Sequence, residues 1–329
     1  MKEREVVLKA ENVCKYFDVK DSLGRVVNHV KAVDGVSMEL NKGEIYGMVG
    51  ESGCGKSTFG RTLIRLLEPT DGRIELKGED ITHISEKKLR PYRKQVQMVF
   101  QDPYTSLNPR IRVGDMLMEI LKIHGVKDKS ERMQTALETL NKVGLRQEHF
   151  YRYPHEFSGG QRQRIGLARA LILKPEIIVC DEPVSALDVS IQAQVINLLK
   201  ELRKSENLSY LFIAHDMSVV KYISDRIGVM YLGHLVEEAA TDELFTNTLH
   251  PYSKALLSAV PDTDVHTKKE RIRLIGDLPS PIDPPGGCVF HTRCPYATER
   301  CNTDKPQLTE VSPGHKVACL RCAEINGCN

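Results

Sequence analysis

Short apolar runs alternate with longer stretches of helical spacing through most of this chain. Val6 to Val13 and Ala32 to Leu40 read as strands, with Asp21-Ser22-Leu23-Gly24 as the turn between them. Ile45 to Val49 is an unbroken apolar run, followed by a glycine-rich turn and a helical stretch from Phe59 to Leu67. Short strands around Arg73 to Leu76 precede a charged helical stretch from Ser85 to Lys94, and Val96 to Phe100 is another strand. Val113 to His124 and Ser130 to Val143 then repeat apolar residues at helical spacing with no strand between them, which predicts a helical insertion in an α/β domain reaching about Arg164.

Beyond it the alternation resumes. A helix is predicted over Arg162 to Leu173, ended by Pro175, then a buried-type strand over Ile177 to Cys180 and a helix over Gln192 to Lys204. Tyr210 to Ala214, Arg226 to Met230 and Leu235 to Glu238 complete the sheet, and Asp242 to Phe245 starts a terminal helix. After His250-Pro251 and the proline-rich run from Leu278 to Gly287 the hydrophobic periodicity fades.

Composition narrows the classes. At 329 residues, with 41% apolar and 27% charged residues, the chain has the balance of an ordinary folded protein of about two domains. A formal charge of +2 gives no sign of a nucleic-acid partner. No apolar run reaches the length of a membrane span, and Met1 to Asn12 has no signal-peptide core, so a cytoplasmic location is expected and any membrane role comes through a partner.

The chemistry concentrates in Gly50-Glu51-Ser52-Gly53-Cys54-Gly55-Lys56-Ser57-Thr58. Strand, glycine-rich turn and helix is the context in which G-x-x-x-x-G-K-[ST] forms a phosphate loop: glycines let several N–H groups point into one hollow, and the helix N-terminus adds partial positive charge. Lys56 then reaches the β- and γ-phosphates of a nucleoside triphosphate and the Ser57 hydroxyl holds Mg²⁺. Ser158-Gly159-Gly160-Gln161 opens a second helix with an N-cap serine and two glycines, a second place for an anion. The strand ending in Asp181-Glu182 sets two carboxylates at a sheet's C-terminal edge, Asp181 toward Mg²⁺ and Glu182 toward the attacking water. His215 ends the next strand and suits a γ-phosphate sensor, while Tyr16-Phe17 offers an aromatic that either stacks on a base or packs in the core.

In this order the motifs resemble those of the ATP-binding subunits of ABC transporters. Gly50 to Thr58 matches the Walker A loop, Gln101 the Q-loop, and Ser158 to Gln161 the signature, with Phe157 where leucine is commoner. Ile177 to Asp181 matches Walker B, Ser185 to Asp188 the D-loop and His215 the switch histidine, with Phe17 in register as the base-stacking residue. The run Gln101 to Pro109, the run Arg152 to Gln161 and the tail from His250-Pro251-Tyr252 to Cys288 look like the oligopeptide/dipeptide importers.

The resemblance implies a P-loop NTPase core of α/β class with an antiparallel β subdomain, a helical insertion and a small cysteine-rich C-terminal domain. The segments are 1–101 for the first part of the core, 102–165 for the helical subdomain, 166–250 for the rest of the core, and 251–329 for the extension. It implies a head-to-tail dimer with a second ATPase subunit, a sister or a second copy, in which Ser158, Gly159, Gly160, Gln161 and Asp188 reach the partner's nucleotide in trans. Gln101, Glu182 and His215 serve catalysis, Ser57, Gln101 and Asp181 hold Mg²⁺, and two transmembrane permease subunits receive the motion at the cytoplasmic face of the membrane. An extracytoplasmic peptide-binding protein takes part indirectly.

Six of nine cysteines lie between Cys288 and Cys328, which in a reducing compartment points to a metal site rather than disulfides. Four thiolates suit a [4Fe–4S] cluster or a tetrahedral zinc, and the wide spacing of Cys288, Cys294 and Cys301 favours the cluster. Tails of the importers that this one resembles imply a cluster on Cys288, Cys294, Cys301 and Cys319, with Cys322 the rival for the fourth position. A single cassette without a long coiled-coil insertion argues against an ATPase acting on nucleic acid or ribosomes, and the lack of a flavin or second-cluster motif argues against an electron-transfer module.

Overall fold

A computed structural model describes residues 5–102, 106–260 and 271–327. Its strands in chain order are β1 (Val6–Lys20), β2 (Val26–Asn41), β3 (Ile45–Val49), β4 (Asp71–Leu76), β5 (Glu79–Asp80) and β6 (Val96–Val99). They continue with β7 (Ile177–Asp181), β8 (Ser209–Ile213), β9 (Arg226–Tyr231), β10 (His234–Ala240), β11 (Thr309–Ser312) and β12 (His315–Val317). The chain divides into two compact units, one built on Ile84–Ile213 with Asn41–Glu44, the other on Val6–Leu40, Ile45–His83 and the residues from Ala214 onward.

In the first unit β6, β7 and β8 pair in parallel. Every residue of β7 and β8 is buried, as continuous apolar runs of a covered parallel sheet require. The helices Val113–Ile123 and Lys129–Lys142 occupy the predicted insertion. Asp128 caps the second of them by accepting from the Glu131 N–H. Two helices begin earlier than their apolar spacing predicts: Gly159–Leu171 starts at its Ser158 cap, and Val189–Glu206 starts directly after Asp188. The predicted Ser85 to Lys94 helix is two pieces, Glu86–Leu89 and the 3₁₀ turn Tyr92–Lys94, broken at Pro91, which supplies no N–H to continue the ladder.

The second unit holds a four-stranded sheet in the order β2-β1-β4-β5 and the strand run β11-β12-β10-β9-β3. Here β3 and β9 are parallel, while β10 pairs antiparallel with both β9 and β12. The expectation that the strand over Leu235 to Glu238 closes the sheet is therefore corrected: the tail adds two more strands. These strands are short and mostly polar, so alternation could not announce them.

The added edge is held by two buried carboxylates on β10. Glu238 accepts from the Tyr46 hydroxyl at 2.7 Å and pairs with Lys316 of β12 at 3.0 Å. Glu237, fully buried, accepts from the N–H groups of Leu249 and His250 at 2.7 and 3.1 Å, and His315 of β12 reaches it at 2.9 Å. Burial alone works to lower the His315 pKa, but hydrogen bonds and charges of Glu237 and Glu243 together raise it above 6.5. A histidine raised in the folded state contributes fully below its unfolded value and loses that contribution as pH climbs through the folded one. We expect His315→Ala to destabilise the protein by about 3 kcal/mol at mildly acidic pH, because it removes the cationic partner of a buried carboxylate. Denaturant unfolding of wild type and variant across pH checks this: the difference should shrink as pH rises past the raised value, and a pH-independent difference contradicts the pair.

Candidate functional site

The phosphate loop joins β3 to the helix Lys56–Leu63. Gly55 stands at the N-cap with φ 105, a left-handed conformation that side chains rarely adopt, and a Cβ there would collide with the Ala32 carbonyl oxygen. A Cβ at Gly50 would collide with the Met230 carbonyl oxygen. Both glycines are thus required by close backbone approach within the second unit, to β2 and β9. Ser52 and Gly53 are exposed, Ser57 and Thr58 half-buried, and Cys54 and Lys56 buried.

The Lys56 ammonium donates to the carbonyls of Gly50 and Glu51 at 2.7 and 2.9 Å and lies 3.7 Å from Cys54 Sγ. A buried cation on neutral carbonyls is poised for a stronger anionic partner. Burial raises the Cys54 thiol pKa, so it packs beneath the loop as a neutral group.

Also in this unit, His215 is exposed just beyond β8 and next to Asp216, whose carboxylate caps Met217–Ile223. The two aromatics left open by pattern differ in surroundings. The Tyr16 hydroxyl donates to Asp34 at 2.6 Å, whereas Phe17 is 38% exposed with the Lys15 ammonium 5.1 Å from its ring centroid. Phe17 is the more exposed of the two rings.

The first unit carries the acidic pair. Asp181 ends β7 and is fully buried. Glu182 follows in the left-handed region at φ 46, unusual for a residue with a side chain. Its N–H donates to the Ile213 carbonyl at 2.9 Å, and its own carbonyl accepts from the Ser185 hydroxyl at 3.1 Å. Its carboxylate accepts from the Gln101 amide nitrogen at 3.0 Å, so two expected residues far apart in sequence meet.

The signature helix begins with a reciprocal cap: the Ser158 hydroxyl accepts from the Gln161 N–H at 3.4 Å, and the Gln161 side chain accepts from the Ser158 N–H at 3.1 Å. Gly160 is buried where a Cβ would collide with Ile191. Gly159 has partial exposure, and Asp188 is exposed at the N-cap of Val189–Glu206 without a side-chain cap bond. Of the loop expected from Gln101 to Pro109, residues 103–105 lie outside the described residues.

In the C-terminal region Cys288, Cys294, Cys301 and Cys319 line one cavity with Phe290 and Arg321. Cys322 is not in that lining and packs with Leu249 and Val317 in an apolar cluster that Cys319 also touches, and Cys328 lies outside the described residues. Burial raises the thiol pKa of Cys288 and Cys294 and pushes Cys319 up to about 12. Among the described residues no three histidine, cysteine, aspartate or glutamate side chains converge closely enough to hold a single metal ion. Nor is any helix among them long and apolar enough to cross a membrane.

Sequence reasoning missed Glu51, Tyr252 and Arg293. The Arg293 guanidinium forks onto the Glu51 carboxylate at 2.6 and 3.1 Å, and the Glu51 N–H donates to the Tyr252 hydroxyl at 2.8 Å. Glu51 and Tyr252 fall within stretches singled out for other reasons and Arg293 between two singled-out cysteines, but no sequence signal joins the three.

Residues 33–185 match the ABC transporter family, and residues 236–301 match the C-terminal region of oligopeptide/dipeptide transporters. Over 320 residues the chain is 57% identical to the oligopeptide transport ATP-binding protein AppF of Bacillus subtilis (strain 168), covering 96% of this chain and 97% of that protein. It is 49% identical over 320 residues to the dipeptide transport ATP-binding protein DppF of Haemophilus influenzae, covering 97% and 98%. Among solved structures it is similar to a dimeric post-hydrolysis state of an ATP-binding cassette bound to ADP and Pi, with a TM-score of 0.63, 28% identity, and coverage of 71% of this chain and 98% of that one.

Proposed function

The chain belongs to the ABC transporter ATP-binding proteins, in the branch of oligopeptide and dipeptide transport, and from that premise we propose how its residues do the work. It is an ATPase, the motor of a peptide importer that acts with membrane permease subunits. The observation that carries the catalytic assignment is Glu182, held at φ 46 with its carboxylate fixed by Gln101. A carboxylate locked in a strained backbone position is pre-organised to orient and polarise the attacking water.

Lys56 exchanges the Gly50 and Glu51 carbonyls for β- and γ-phosphate oxygens, with Gly50, Ser52, Gly53, Cys54, Gly55, Ser57 and Thr58 forming the hollow and Phe17 stacking on the base. Ser57 and Asp181 offer oxygen donors suited to Mg²⁺. Gln101 gives its nitrogen to Glu182 and keeps its carboxamide oxygen for the same ion. His215 hydrogen-bonds the γ-phosphate.

Two cassettes, this chain with a sister or with a second copy, sandwich ATP head to tail at the cytoplasmic face. Ser158, Gly159, Gly160, Gln161 and Asp188 meet the partner's nucleotide; the exposed, long Ser158–Gln161 cap bond is support for a helix end that accepts an outside anion. Hydrolysis removes the bridging charge and releases the dimer. The segment 102–165 passes the motion to two transmembrane subunits, with 1–101 and 166–250 forming the core, 251–329 the extension, and a peptide-binding protein outside the membrane supplying cargo.

For the cysteine cavity the reading is a [4Fe–4S] cluster on Cys288, Cys294, Cys301 and Cys319. Its support is that these four thiols line one cavity, the number of thiolates that a cubane cluster takes. Cys319 rather than Cys322 faces that cavity. Its role is to staple a segment with little core of its own.

Glu182→Gln should keep ATP binding, lower steady-state hydrolysis at least about a hundredfold and accumulate closed dimers on size exclusion; undiminished turnover removes Glu182 from its role. Protein purified without oxygen should show broad brown absorbance with about four irons and matching sulfide per chain. A colourless protein carrying zinc replaces the cluster with zinc, and a metal-free one contradicts both.

A further inference from the structure

Glu51 is an unexpected residue for its place. It sits second in a loop built to receive a polyanion, where a bare carboxylate would repel the phosphates that the glycines and Lys56 attract. The structure holds that carboxylate in a fork–fork pair with Arg293, which is 8% exposed. Bidentate guanidinium pairing is the strongest neutral arrangement available to a carboxylate at a partly buried site. The guanidinium also lies 5.9 Å from the Tyr231 ring centroid, and Tyr231 packs edge to face on both Tyr252 and Phe290.

The arginine does not come from the cassette. It lies on a short turn tied by successive backbone bonds, with the His291 N–H on the Cys288 carbonyl at 3.0 Å, Arg293 on Phe290 at 3.0 Å and Cys294 on His291 at 3.3 Å. That turn begins and ends on cysteines lining the cavity, so whatever fixes those two sulfurs fixes Arg293 as well.

We infer that Arg293 is a positioning residue for nucleotide binding: it neutralises Glu51 and holds the phosphate loop receptive to ATP, which makes the C-terminal extension part of the ATP site. The inference rests on the phosphate loop binding ATP and does not depend on what fills the cysteine cavity.

The test is equilibrium titration of the full-length protein with Mg²⁺ and a non-hydrolysable ATP analogue. Arg293→Gln keeps much of the side chain's packing and removes the charge; it should raise the Kd about tenfold. Adding Glu51→Gln to it should restore the Kd to within about threefold of wild type, because the repulsive carboxylate is then gone as well. Arg293→Ala, alone and with Glu51→Gln, should repeat the pattern, with thermal unfolding run beside each. An unchanged Kd in the arginine variants, or an equal loss with and without Glu51→Gln, overturns the inference and leaves Arg293 as packing. Wild-type protein that fails to bind the analogue would instead remove the ATP assignment on which it rests.

Discussion

The structure depends on a stretch of backbone that has no room for side chains. At Gly50 and Gly55 the phosphate loop presses on the carbonyl oxygens of Met230 and Ala32, so its course is set by β9 and β2 as much as by its own sequence. Lys56 is buried under that loop with its ammonium on two loop carbonyls. Glycine freedom and close packing together fix the course of this loop into the helix N-terminus, with one buried cation beneath it. Catalysis elsewhere in the chain has meaning only if that loop receives phosphates.

Charge management follows from the same constraint. A loop that attracts polyanions carries its own carboxylate, Glu51, and the chain answers it with Arg293 from the extension. The extension is in turn attached through buried charge, with His315 on Glu237 and Lys316 on Glu238 along the β10–β12 pair. Both buried carboxylates of β10 are satisfied by donors from more than one element, the condition under which buried ions are tolerated.

Much of this was legible beforehand. Unbroken apolar runs ending in Lys56's loop, in Asp181-Glu182 and in His215 marked buried strands with chemistry at their ends, and strands, loop and acidic pair stand where those runs end. What escaped notice was non-local. The strands β11 and β12 are short and polar; β12 pairs with β10 across about eighty residues of chain and β11 pairs with β12, contacts no periodicity records. The Glu51–Arg293 pair joins residues at a separation of 242, and the left-handed backbone of Glu182 arises from its bonds to Ile213 and Ser185, not from a glycine. Likewise the bond from the Tyr16 hydroxyl to Asp34, across 18 residues of chain, is invisible to local pattern.

The most direct test of the central claim is calorimetric titration of Gly55→Ala with Mg²⁺ and a non-hydrolysable ATP analogue, with circular dichroism recorded alongside. If the hollow is made by backbone that excludes a Cβ, the variant keeps its secondary structure and loses at least about a hundredfold in affinity, since the loop must move to relieve both the collision with Ala32 and the left-handed strain. Wild-type affinity in a folded Gly55→Ala protein would contradict the account, because nucleotide binding would then not depend on the backbone geometry from which everything else here follows.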